Sequence, residues 1–345
     1  MNQSERINSF SYIRAGACIA IIVLHVFASA VIIYGEELDI LPYAISRGIA
    51  NCLMWAVPCF VMTTGALLLN ESKELSYKKI YGKYMVRIIL AVIVFCLIFR
   101  LFDMVMNRED VSVVVVIDGF YKIYTGTSWS HMWYLYMLVG LYLLLPFYRK
   151  IAKYSDRWEI KFLLSIYFIF ISLLPLTGML ELKSGFYIHV STIYPLYLFC
   201  GYAIHKKFFE INKLTSVLLI LLSTEGIFLL TIIRWKYSVE VMEQLWSYSS
   251  ILVVMQAVGV FTLMVRTKGN VWKLAGKILN KIDDCSFGIY LIHMIFVRLV
   301  LRYMEYNPYE GIVPLNFILL ICGILAVSYV ITWVMKKVPG IRSII

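Results

Sequence analysis

Charge is scarce in this chain. Asp, Glu, Lys and Arg make up 15% of its 345 residues, apolar residues make up 61%, and mean hydropathy is +0.80. That composition excludes a water-soluble globular domain and marks a polytopic membrane protein. Several signatures of catalysis and nucleotide use are missing. There is no Walker A sequence, no GxSxG, no HExxH and no GxGxxG ahead of a helix. Their absence argues against ATP-driven transport, a serine hydrolase, a zinc peptidase and a dinucleotide site. The seven cysteines, at 18, 52, 59, 96, 200, 285 and 322, are scattered and show no CxxC or Cys/His metal spacing. They read as small core residues, and no metal is expected. The first apolar segment lacks the short apolar core and small-residue cleavage site of a removable leader, so it is expected to stay as a span. Neither end carries a stretch that reads as a separate soluble domain. No internal repeat and no matched pair of Gly- or Pro-broken spans is visible, which weakens an inverted-repeat transporter.

What is present is a series of ten apolar stretches, at about 12–34, 45–69, 84–103, 131–148, 161–178, 187–205, 214–233, 248–265, 285–303 and 313–335. A segment crossing lipid alone must satisfy its own backbone, so each is a helix candidate and the expected fold is all-α. Of the 32 Lys and Arg residues, 22 fall at one set of span ends, 6 at the alternate ends and 4 within spans. The positive-inside rule then predicts ten transmembrane helices with both termini cytoplasmic. No nucleic-acid partner is implied; the basic residues follow the bilayer. Two connecting stretches stand apart. Residues 104–130 hold an apolar run too short to span and are expected to lie on the surface or re-enter. Residues 266–283 place Val271, Trp272, Leu274, Ile278 and Leu279 at roughly helical spacing among lysines, which predicts a short amphipathic helix on the inner leaflet.

The first span carries Arg14 near one end and His25 in its middle. Eleven residues at ~100° each bring the two onto one helix face, roughly 16 Å apart. An ionisable residue inside a span is costly and is a functional candidate by default. The alternative is an Arg that snorkels and a His satisfied in the core. With Arg14 at the cytoplasmic edge, the functional reading is a face that binds a long ligand with an anionic head. Arg87, with Lys83 four residues earlier, sits where the third span enters the membrane; together with Arg14 it could hold phosphates, although ordinary positive-inside topology also explains such residues. His293 lies mid-span, with Tyr290 three residues before it on the same face. Glu225 is near the middle of the seventh span and must be paired or protonated there. It could orient an imidazole, bind substrate or carry a proton; a structural partner for Arg47 or Arg100 is as good a reading. His131 opens the fourth span in His131-Met132-Trp133-Tyr134, where an interfacial anchor is the more common role. His189 and His205 read as interface residues. Glu36 follows the first span and could line an exit, as could Glu37 and Asp39.

These residues resemble the pattern of acyltransferase family 3, integral membrane proteins, over nearly the whole chain. The Arg14–His25 spacing matches the family's first-span motif. Arg87 matches the second basic residue of its third-span pair; Tyr84 stands at the first, with Lys83 as a substitute. His131-Met132-Trp133-Tyr134-Leu135 with Tyr142 to Pro146, and Ser286, Phe287, Tyr290, Leu291 and His293, match its fourth-span and late motifs. The resemblance implies a single acyltransferase-3-type membrane domain over 1–345 at the cell membrane. It implies transfer of an acyl group, typically acetyl from acetyl-CoA, to a hydroxyl of a cell-surface or lipid-linked polysaccharide. In that reading Arg14, Arg87 and Lys83 hold the donor's phosphates, and the pantetheine arm runs up a shared internal tunnel to His25. His25 serves as general base or acyl carrier; His293, Tyr290 and Glu225 assist; His131, Trp133 and Glu36 meet the glycan acceptor. Expected partners are acyl-CoA, the glycan and the bilayer, with a homo-oligomer or polysaccharide synthesis complex also open. The alternatives are an exporter of acyl groups, small metabolites such as serine, or polysaccharide units, and a scaffold whose ionisable groups are structural.

Overall fold

The computed structural model describes residues 3–72, 74–110, 112–176, 192–234, 246–266 and 273–345. Among these residues there is no strand, and thirteen α-helices of four residues or more carry the fold. They are α1 (Gln3–Tyr34), α2 (Ile40–Asn51), α3 (Ala56–Leu68), α4 (Val86–Met106), α5 (Val113–Thr125), α6 (Trp133–Tyr154), α7 (Arg157–Tyr167), α8 (Tyr194–His205), α9 (Lys213–Arg234), α10 (Ile251–Arg266), α11 (Lys273–Arg298), α12 (Val313–Met335) and α13 (Pro339–Arg342). Among the described residues, eight helical stretches are long and apolar enough to cross a bilayer. The other two expected spans fall on α8, with 12 described residues, and α10, with 16, both shorter than a full crossing needs. The amphipathic helix expected at 266–283 is not a separate element where it is described. Val271 and Trp272 lie outside the described residues, and from Lys273 onward the chain is already α11. His189 also lies outside them.

The core is built around α1, which packs against α2, α3, α10, α11 and α12. Its inward positions are small: Ala15, Ala17, Cys18 and Ala20 are all buried. Small side chains let helix backbones approach, which is how helices associate when lipid offers no hydrophobic drive. The α3–α8 crossing takes this furthest. A Cβ on Gly65 would stand 1.8 Å from the Leu198 carbonyl oxygen, and one on Gly201 would stand 1.9 Å from that of Met62. Only glycine fits at either position.

Two local features aim side chains at the site. Before α4, Ser76 caps a turn by accepting from the Lys79 N–H at 3.2 Å, and Ile80–Met85 then form a wide π-type turn. Such turns shift helical register and recur at functional sites. Inside α6, Pro146 has no N–H to give the Tyr142 carbonyl. Beside it the Leu143 carbonyl accepts from the Tyr81 hydroxyl at 3.0 Å. The 104–130 stretch forms α5, a surface helix that ends at left-handed Gly126 (φ 69°). Asp118 ties it to Arg100 of α4 at 2.5 Å, and Val113, Ile117, Phe120 and Tyr124 stay exposed along one face.

Candidate active site

α1 and α11 lie side by side and run in the same direction. Four polar contacts join α1 to α11 and to the turn Leu299–Tyr303 that continues it, each near the same offset in sequence. Arg14 donates from Nε and Nη2 to the two carboxylate oxygens of Asp283, both at 2.6 Å. Cys18 Sγ donates to the Ser286 carbonyl at 3.7 Å. The His25 and His293 rings meet through Nδ1 and Nε2 at 2.8 Å. The Tyr34 hydroxyl donates to the Leu301 carbonyl at 2.7 Å. The helix pair is therefore held in one register, and the paired imidazoles sit in its middle.

The partners of His293 fix where the hydrogens are. Its Nδ1 faces the Tyr290 carbonyl at 2.7 Å and the Ile289 carbonyl at 3.2 Å. A carbonyl oxygen only accepts, so Nδ1 carries the hydrogen and Nε2 of the neutral ring holds the lone pair. His25 Nδ1 must then be the donor in the 2.8 Å bond. That leaves the lone pair of His25 on Nε2, the atom free to take a proton or attack a carbonyl.

His131 is not an interfacial anchor. It is 1% exposed, and its ring centre lies 6.3 Å from that of His25 and 5.5 Å from that of His293. The reason is local. Trp129 stacks on Phe99 at 4.4 Å and gives its N–H to Asp103 at 2.8 Å, and the turn Ser130–Met132 follows it inward. His131 Nε2 donates to the Leu291 carbonyl at 3.3 Å, while its Nδ1 is buried with no partner among the described residues. The His131 carbonyl in turn accepts from the Tyr290 hydroxyl. Trp133 shares a small cavity of about 20 Å³ with His25, Tyr248 and Tyr290.

A larger cavity, about 690 Å³, opens at the Arg14 end of the bundle. That is within the ~300–1,000 Å³ usual for small-molecule sites. Arg14, Arg87, Tyr84, Tyr142 and Tyr290 line it. Arg87 lies over the Phe287 ring at 5.0 Å and donates from Nε to the Ile344 carbonyl at 3.1 Å. Lys83 is exposed and does not line the cavity; Tyr84 does, because a one-residue step turns a side chain by ~100°. The expected single tunnel from Arg14 to His25 is instead two cavities. Tyr290 is on the wall of both, its hydroxyl tethered to the His131 carbonyl.

Two expected residues stand elsewhere. Glu225 is exposed on α9, which packs against α2 and α10, and it lines neither cavity. Nor does it serve Arg100, which binds Glu109 at 2.6 Å and Asp118 at 2.5 Å. Glu36 is exposed beyond the end of α1. Sequence reasoning missed Asp283. Its signal was there: Asp283, Ser286 and His293 on α11 repeat the spacing of Arg14, Cys18 and His25 on α1 to within one residue.

A bundle of apolar helices enclosing a paired imidazole and a cation-lined cavity is a multi-pass membrane protein built around a polar centre. The family model described as an acyltransferase domain matches residues 7–333, and the chain belongs to acyltransferase family 3. It is a membrane acyltransferase. Comparisons with curated proteins and with solved structures give no match.

Proposed function

We propose that the protein takes an acyl group, most simply acetyl, from cytoplasmic acyl-CoA and transfers it to a hydroxyl of a cell-surface or lipid-linked polysaccharide at the cell membrane. The observation that carries this reading is the tautomer chain from the Tyr290 carbonyl through His293 to His25, which leaves Nε2 of His25 bare. As general base, that nitrogen accepts the proton of the acceptor hydroxyl. The oxygen attacks the thioester carbonyl, the new C–O bond forms, the C–S bond breaks, and the CoA thiolate leaves to be protonated. His293 keeps His25 in the competent tautomer and supports the imidazolium that forms. A buried site of fixed dipoles suits the developing oxyanion. The donor's phosphates belong in the 690 Å³ cavity with Arg14 and Arg87, and its thioester must pass Tyr290 to reach His25. Trp133 and His131 sit beyond the imidazole pair, where the acceptor would approach.

Purified protein supplied with acetyl-CoA and candidate glycans should release free CoA in step with glycan acetylation. Movement of labelled glycan or acyl group across vesicles without CoA release would favour an exporter and overturn the enzymatic reading.

A further inference from the structure

The basic cavity has a wall that the motifs do not cover. After α12 the chain reverses at Pro339, and the last residues fold back across the Arg14 end of the bundle. Ile345 is 6% exposed, and Ile341 and Ile344 pack against the core. Two bonds tie this segment to the site: Arg87 Nε to the Ile344 carbonyl at 3.1 Å, and Lys336 Nζ to the Asp284 carbonyl at 2.6 Å. Lys336, Arg342 and Ile345 then line the same cavity as Arg14 and Arg87.

Charge assigns this wall a role. Four cationic side chains line the cavity, against the carboxylates of Asp283 and Asp284. Arg14 spends two of its donors on Asp283. Arg87, Lys336 and Arg342 form no ion pair among the described residues. Four cations against two carboxylates in a concave, partly desolvated site, three of the cations outside any ion pair, suit a ligand with several phosphate oxygens.

Resting on the acyl-CoA reading above, we infer that the segment 336–345 is part of the donor site and that Lys336 and Arg342 bind the phosphates of the CoA nucleotide. The phosphate contact is then shared among α1, α4 and the segment that follows α12. The isoleucines act as an anchor that keeps Arg342 over the cavity.

The test is calorimetric titration of CoA into the full chain in phosphatidylcholine nanodiscs. Lys336→Ala and Arg342→Ala should each weaken CoA about tenfold, the scale of one charge-assisted hydrogen bond. Lys337→Ala should bind as wild type, since that side chain stacks on Trp333 at 3.4 Å and is not in the cavity wall. Pantetheine, which has no phosphate, should bind wild type and all three variants alike. Unchanged CoA affinity in Lys336→Ala and Arg342→Ala would overturn the inference while leaving the acyl-CoA reading intact. Equal losses for CoA and pantetheine would assign the segment a structural role only, and overturn it too. Competition of phosphatidylglycerol nanodiscs with CoA, abolished by Arg342→Ala without any change in CoA affinity in phosphatidylcholine, would make the site a lipid-headgroup site instead. No CoA binding by wild type would defeat the acyl-CoA reading itself.

Discussion

His25 depends on a neighbour that is itself neutral. In many catalytic dyads a carboxylate orients the imidazole; here a second imidazole does so, and two backbone carbonyls orient that one. A neutral acceptor fixes the tautomer without adding a second buried charge, whose desolvation would be costly in this setting. His293→Ala should therefore lower turnover by roughly 10²-fold with the KM for acyl-CoA unchanged, as steady-state CoA release would show. His293→Gln, whose side chain can still accept from His25 Nδ1, should recover part of the loss. Part of this was legible in the residues: spacing puts Arg14 with His25 on one face of the first span and Tyr290 with His293 on one face of a late span, but that the two faces meet is seen only in the fold. His131 was not, because a histidine at the head of a span reads as interfacial until the Trp129–Phe99 stack is seen to pull it inward. Glu225 misled for the opposite reason. Its depth in a hydropathy profile says nothing of which side of the helix faces the core.

Helices, in this protein, meet by register and by smallness. The α1–α11 pair is locked by its polar contacts, and α3 and α8 touch backbone to backbone at Gly65 and Gly201. Gly65→Ala should destabilise the detergent-solubilised protein by about 1–3 kcal/mol, read as a lower melting temperature. A side chain that meets a carbonyl oxygen at 1.8 Å forces the two helices apart. The surface helix α5 is held by charge instead. The bond from Arg100 holds the Glu109 carboxyl below its ordinary value of 4.5, and those from Lys122 and Arg100 hold Asp118 below 3.8. Both values are lower in the folded protein, so their contribution is complete at neutral pH and lost as pH falls through the depressed values. Hydrogen exchange across 113–125 should rise only in acid below those ordinary values, and Arg100→Gln should raise it already at pH 7. The helices themselves were legible because apolar runs in lipid have little choice but to be helical. The fusion of residues 273 onward into α11, and the turn that selects Tyr84 over Lys83, were not. Both are decisions of backbone register that side-chain pattern does not report.

Taken whole, the molecule is a membrane acyltransferase of family 3 in which a cation-lined cavity at the Arg14 end and a smaller one beside the central imidazole share Tyr290 on their walls. In the reaction proposed above, the charged nucleotide would stay at the Arg14 end while its thioester travels inward. The most direct test compares two variants of the purified protein for CoA binding and for acetyl transfer to its glycan. His25→Ala should bind acetyl-CoA nearly as wild type and lose transfer by about 10³-fold, whereas Arg14→Ala should weaken binding about tenfold. Near-normal glycan acetylation by His25→Ala would contradict the central claim.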